Sequence, residues 1–359
     1  MPLEIVSTRD GFAHLRAEWD LLTNEPLRSF AWHYAWWESY QTTHELRIYV
    51  YRESGKLLGI APFFVDRWLG QKRLRFLGSG NVCTDYAQII TADNLRKQIA
   101  GDIIEDLQAT KSVAMVELEG IGNSDSDQIF CSDLKDVSYW RYDRQLEPTW
   151  IIELPATWKM FKERSSSSLR RKIKKAETRL DSGEVVVRST SIDLDFDIAF
   201  EKLIELHQER FVSKGEPGVF SDQRFRSFLG KATRTLVEQQ AAEILLGYRD
   251  DEAFVAHLYL NGTRGPQLYQ SGVRTSAMKL EPGHLMFTYA VRKAIENGHA
   301  IFDFLRGSEA YKPFWGAIPR PLTLARCVSS NLIPTSINRS YQFLRHLKHL
   351  FRPKNPATH

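Results

Sequence analysis

Cysteine is scarce: the 359 residues hold three, Cys83, Cys131 and Cys327, far apart and without a CxxC pair. This speaks against a disulfide framework or a cysteine-based zinc site and fits a reducing compartment. Long apolar runs are missing too; none approaches the roughly 18–20 residues needed to cross a bilayer. The opening MPLEIVSTRDGF carries Glu4, Arg9 and Asp10 early, with no basic segment followed by an apolar one, so no secretory leader is expected. GxxxxGK(S/T), HExxH, GxSxG and Cys/His metal spacings are absent, which leaves P-loop, zinc-peptidase and serine-hydrolase chemistry without support and predicts no metal. Acidic residues stop at Glu309. Eight basic residues follow, whereas residues 1–309 hold 40 basic against 44 acidic. The net charge of +4 is too small for a nucleic-acid binder, and no DNA partner is expected.

What is present is an ordinary globular composition, 43% hydrophobic and 26% charged, in a chain long enough for two domains. LEIVS reads as a strand. Phe12, Leu15, Trp19 and Leu22 recur three or four apart and predict a helix from about Asp10 to Thr23. The aromatic cluster from Phe30 to Trp37 reads as a short buried helix. Strands are predicted over Leu46–Tyr51, Leu57–Val65 and Leu74–Leu77, the first two joined by a Glu53-Ser54-Gly55 turn. A helix over Asn94–Thr110 and a strand over Val113–Glu119 follow.

The second half repeats this order. It gives a strand at Glu184–Arg188, helices at Asp195–Lys214 and Ser221–Gln239, and strands at Ile244–Arg249, Phe254–Asn261 and Gln267–Val273. Then come a helix at Gly283–Asn297, a strand at Ile301–Leu305, a short helix at Ser308–Trp315 and a strand at Leu322–Val328. Each half reads β-α-α-β-β-β-α-β, with a further helix and strand in the second. The expectation is a mixed α/β (α+β) chain with sheets flanked by helices, divided into residues 1–145, 146–330 and a basic tail, 331–359.

Chemistry concentrates between Tyr269 and Gly316. Gly283 opens a helix after Pro282, with His284 on the first turn and Arg274 and Lys279 in the preceding loop. Free N–H groups there suit an anion, although a plain Pro-Gly turn gives the same pattern. Asp303, Arg306 and Gly307 lie at a strand end, where ligands gather on open sheets, or form a pair that fixes the loop. Glu309 and Lys312 are charged neighbours. His257 lies in a strand, as a base near neutral pH or as a satisfied core residue. Residues 164–179 carry seven basic side chains, as an anion contact or a solvated helix face.

Four passages resemble a family: FLGSGNVCTDYAQII, LRRKIKKAETRLDSGEV, LHQERFVSKGEPGVFS and, most specifically, EPGHLMFTYAVRKAIENGHAIFDFLRGSEAYKPFWG. They resemble the GNAT acyltransferases, in particular the two-domain FemAB-like and CelD-like (cellulose-biosynthesis-associated) branch. The resemblance implies tandem GNAT-like domains, the first degenerate, and acetyl-CoA or another acyl-CoA as co-substrate. It places the coenzyme on Tyr269, Gln270, Ser271 and Gly272 of the fourth strand and on Arg274, Lys279, Gly283 and His284. Tyr311 becomes the acid for the departing thiolate. Lys312 becomes a contact to substrate or oxyanion, beside Asp303 and His257 as catalytic candidates. Asp85, Tyr86, His207, Arg306 and Glu309 fall on the acceptor side, with Asp85 readable also as a turn residue.

The implied activity is N-acyl transfer, most simply N-acetyl transfer, to an amine of a sugar, a cell-envelope glycan precursor or an amino-acid derivative. The alternatives are an aminoacyl-tRNA-dependent FemAB-like transferase, against which the lack of a coiled-coil arm counts, and a non-catalytic scaffold in a polysaccharide synthesis complex. In the tail, Ile337, Tyr341, Leu344, Leu347 and Leu350 form one helical stripe among basic residues. It reads as a helix docked on the body, or as peripheral contact with the inner face of the membrane from the cytoplasm.

Overall fold

A computed structural model describes residues 3–122, 124–136, 139–331 and 334–341. Strand β1 (Leu3–Val6) is followed by α1 (Arg9–His14), α2 (Arg16–Trp19) and α3 (Phe30–Tyr40). The helix predicted from Asp10 is thus two short ones. They meet at Leu15, whose N–H bonds back to Phe12 and Ala13 carbonyls, a tightened turn that keeps Phe12, Leu15 and Trp19 all buried. Next come β2 (Glu45–Glu53), β3 (Lys56–Trp68), β4 (Gln71–Phe76), β5 (Ile90–Thr91), α4 (Asp93–Thr110), β6 (Met115–Ile121), α5 (Asp125–Asp136) and β7 (Tyr139–Gln145). Ser54 and Gly55, with φ of 50° and 81°, make the two-residue β2–β3 turn.

The second half opens with β8 (Thr149–Glu153), α6 (Trp158–Arg164), α7 (Ser167–Asp181) and β9 (Val186–Ser189). It continues with α8 (Phe196–Val212), α9 (Gln223–Glu238), β10 (Ala242–Arg249), β11 (Glu252–Gly262), β12 (Gly265–Val273) and α10 (Pro282–Glu296). It closes with β13 (Ile301–Arg306), α11 (Tyr311–Phe314), β14 (Ile318–Arg320) and β15 (Thr323–Ser329). Each half therefore contains the predicted element order, and the mixed α/β class holds. The sequence reading passed over β5, α5, β7, β8, α6 and β14.

Two mixed sheets result. The first runs β1-β2-β3-β4-β6-β15-β7, with β5 on β3; the second runs β14-β8-β13-β12-β11-β10-β9. Residues 323–329, grouped above with the second half, lie in the first sheet between β6 and β7. Their buried run Leu324–Val328 suits any central strand, so pattern alone names no partner. A helical turn at 334–341 follows. Tyr341 lies edge-on to Trp68 at 4.8 Å, with the Arg326 guanidinium 4.9 Å from the Trp68 ring. The rest of the predicted tail stripe, Leu344, Leu347 and Leu350, lies outside the described residues. Among the described residues no helix is long and apolar enough to cross a membrane.

One hydrophobic core belongs to both halves. Trp32 of α3 meets Phe228 of α9 edge-on at 4.9 Å, and Trp36 packs on Phe64 of β3 at 4.7 Å. Next to this shared core, Val82, Asp85 and Glu119 of the first half meet β12 and β13 in the middle of the second sheet. Strands β12 and β13 run parallel and pair only at Gln267–Asp303. Beyond that pair they diverge, and a cavity opens between them.

Candidate active site between the two halves

The cavity has a volume of about 370 Å³ and is lined from three directions. Strand β12 supplies Leu268–Ser271 from one side of the opening, and Phe304–Gly307 with Tyr311 and Lys312 come from the other. The last turns of α8 supply His207, Arg210 and Phe211. The first half closes the cavity with Asn81, Val82, Cys83 and Asp85. Register on β12 slips by one residue opposite Leu258/Tyr259, which makes Tyr269 the extra residue of a bulge. A bulge frees a stretch of strand from its ladder and re-aims its side chains. The Tyr269 hydroxyl donates to the Val82 carbonyl at 2.8 Å, and its ring lies edge-on to Trp32 at 5.0 Å.

Strand β13 is distorted on the opposite side. Register with β8 shifts between Asp303 and Arg306, and Leu305 has φ of 52°, a region costly for a side chain with Cβ. The Asp303 carboxylate holds this shape: one oxygen accepts the Leu305 N–H at 2.7 Å and the other accepts the Tyr86 hydroxyl at 2.7 Å. Asp303 alternates with Phe302 and Phe304, as FDF requires, yet all three are buried, because the first half covers its face. Burial pushes the Asp303 carboxyl up to about 7, against the two hydrogen bonds that favour its charge. Asp303 and Tyr86 stand behind the cavity wall and do not line it.

Arg306 and Asp85 meet across the two halves. The arginine Nε donates to Oδ1 of Asp85 at 2.8 Å, its backbone N–H to Oδ2 at 2.9 Å, and Nη1 to Glu119 at 3.0 Å. Both oxygens of Asp85 are thereby engaged by Arg306. Lys312 is buried, and its Nζ contacts the carbonyls of Leu305 at 3.1 Å and Arg306 at 2.9 Å and the Glu309 carboxylate at 2.9 Å. Three N–H groups and three acceptors leave the ammonium fully used, so in this geometry it fixes the turn after β13. Gly307 completes that turn. A Cβ there would stand 2.7 Å from Lys312 Nζ.

Tyr311 stacks on Phe287 at 5.0 Å and meets Phe304 edge-on at 5.5 Å. Burial raises its pKa beyond the ordinary tyrosine range, which keeps the hydroxyl protonated at neutral pH. His207 stacks on Phe211 at 4.4 Å, and burial lowers its pKa to about 4, so it is neutral near pH 7.

The structure thus brings nine sequence-predicted residues to one cavity: Tyr269, Gln270, Ser271, Tyr311, Lys312, Asp85, His207, Arg306 and Glu309. The others lie elsewhere. His257 sits in the core with Nδ1 2.8 Å from the Tyr259 hydroxyl, and burial lowers its pKa to about 3. Gly272 lies under α8. Arg274 is surrounded by Glu205, Glu252 and Glu209 at 3.0, 3.2 and 3.7 Å, so its charge is already matched. Lys279 is exposed on the turn before α10. His284 accepts a hydrogen bond from Trp315 Nε1 at 3.1 Å. Gly283 opens α10 with free space beside it, and the preceding Glu281 pairs with Lys172 and Lys175 of the basic helix α7. Arg210 was missed from sequence, although it follows His207 by three residues and so shares its helix face.

The larger hollow between α3 and α9, about 890 Å³, has most of its rim charges paired, as in Lys231–Glu38 and Arg234–Asp197, and gathers no comparable chemistry.

Residues 164–313 match the family of the acetyltransferase (GNAT) domain. No curated protein matches the chain. Among solved structures, FemX is 12% identical with a TM-score of 0.64, over 90% of this chain and 97% of that one. The C-terminal domain of a protein assigned as a lysylphosphatidylglycerol synthetase from Agrobacterium fabrum is 9% identical with a TM-score of 0.57, over 93% of this chain and 95% of that one. A protein of unknown function from Bacteroides thetaiotaomicron is 11% identical with a TM-score of 0.55, over 92% of this chain and 100% of that one. At these identities the likeness is one of fold. The matched segment runs from the end of α6 to α11, so this part of the chain is similar to a GNAT-type acetyltransferase domain.

Proposed function

We propose that the protein is an acyl-CoA-dependent N-acyltransferase whose reaction takes place between β12 and β13. The observation that carries this reading is the opening itself: two parallel strands joined at one residue pair, with a cavity lined by the bulged β12 on one side and Tyr311 on the other. The acyl-pantetheine arm fits along β12. Among the described residues that strand has no partner on its β13 side beyond Gln267, which leaves backbone groups to meet the thioester. The nucleotide end of the coenzyme extends toward Gly283 at the start of α10, where it competes with Glu281 for Lys172 and Lys175 of α7.

The acceptor amine attacks the thioester carbonyl; a C–N bond forms and the C–S bond breaks. The sulfur leaves as a thiolate and takes the proton of Tyr311. The proton shed by the amine leaves through the mouth of the cavity, which Glu309 lines, and the tyrosine is reprotonated from solvent. The products are an amide and free coenzyme A, with no covalent enzyme intermediate. Calorimetric titration with acetyl-CoA tests the reading: saturable binding is expected. Binding of aminoacyl-tRNA in its place would favour the FemAB-like alternative, and binding of neither would favour a scaffold.

A further inference from the structure

Charge in this protein is matched with few exceptions along α8. Asp197 pairs with Arg234, Glu201 with Arg226, Lys202 with Glu205, and both Glu205 and Glu209 with Arg274. The cations of the cavity follow the same rule, since Arg306 and Lys312 are occupied as described. Arg210 is the exception. It is half-buried, faces the cavity, and makes a single polar side-chain contact, from Nη1 to Ser271 Oγ at 3.5 Å. Among the described residues no carboxylate lies within ion-pair distance of it. Arg210 lines the same cavity as His207 and Tyr311.

A half-desolvated guanidinium without a partner is costly, and an anionic ligand removes that cost. The guanidinium fork matches a carboxylate through two parallel hydrogen bonds. A phosphate dianion suits the cavity less well, because Glu147 and Glu309 also line it and Arg210 offers one positive charge. The volume of about 370 Å³ admits a small molecule beside an acyl group. We infer that Arg210 binds a carboxylate of the acceptor, so that the acceptor is a small amino-carboxylate, an amino acid or a close derivative, with its amine a few bonds from the acid. This rests on the acyltransferase reading above.

The test offers the twenty amino acids and their amides to the protein with acetyl-CoA and follows acetylated product by mass. Free acids are expected to be used at least about tenfold better than their amides, the cost of one lost charge-assisted contact. In Arg210→Gln that preference is expected to collapse through a raised KM for the acid, while acetyl-CoA binds as in the parent. Absence of any acid-over-amide preference, or its survival in Arg210→Gln, overturns the inference with the acyltransferase reading intact. A second arm compares succinyl-CoA with acetyl-CoA. If Arg210→Gln abolishes a preference for succinyl-CoA and leaves the acid-over-amide ratio untouched, the carboxylate belongs to the donor and the acceptor assignment is overturned. Failure of the parent to bind acetyl-CoA at all removes the underlying reading.

Discussion

Tyr311 is packed and still reaches the candidate site: Phe287 and Phe304 hold its ring while the residue lines the cavity. Tyr311→Phe keeps that packing and removes one proton donor. Turnover is expected to fall by about 10²–10⁴-fold with little change in acetyl-CoA affinity. Steady-state rates beside calorimetry check this, and unchanged turnover would leave Tyr311 a packing residue. Asp303 carries a pH signature. Its carboxyl is pushed up to about 7 by burial, against about 3.9 in an unfolded chain. Between those values the folded state keeps a proton that the unfolded state releases, so this group lowers stability as pH rises and the loss is complete above about pH 7. Asp303→Asn mimics the neutral carboxyl. Relative to the parent it is expected to gain stability between about pH 5 and pH 8 in urea titrations. A constant difference across that range would refute the assignment.

At the scale of elements, the seat of α8 on β12 depends on a glycine. A Cβ at Gly272 would stand 2.4 Å from His207 N and 2.6 Å from the Leu206 carbonyl carbon. Gly272→Ala must lift the helix that carries His207 and Arg210, at a cost of about 1–3 kcal/mol. Its melting temperature is expected to drop clearly. Gly283→Ala serves as the contrast, since its Cβ would meet only Phe287 at 3.8 Å. Equal melting temperatures for the two variants would contradict the packing argument. Of the two glycines read from sequence as parts of one coenzyme site, Gly272 is the one that packing requires.

At the scale of the whole molecule, the cavity exists only because the halves are joined. Arg306 of β13 reaches Asp85 and Glu119 of the first half, Tyr86 reaches Asp303, and Tyr269 reaches Val82. Strand β15 returns the chain to the first sheet and makes the halves continuous. Arg306→Met leaves the buried Asp85 carboxylate without its cation, an expected loss of about 3–5 kcal/mol. Adding Asp85→Asn is expected to recover part of it. Denaturation of the single and double variants measures the coupling, and additive losses would show that the pair does not hold the halves together.

Element order could be read from the chain alone, because apolar spacing of three to four or of two depends only on which face each segment must bury. Helices α4, α8, α9 and α10 and strands β2, β3, β10, β11 and β12 were legible in this way, and the motif around them pointed to Tyr269, Gln270, Ser271 and Tyr311, which the structure brings to one cavity. The partner of β15 was not legible, because a strand buried on both faces carries no mark of its neighbours. Nor was the fate of the charges. Asp85 and Arg306 lie 221 positions apart and neutralise each other, while Arg274 is matched by three carboxylates and Arg210 by none among the described residues. Whether a charge is spent or available depends on distances between segments remote in the chain, and only the tertiary structure sets those distances.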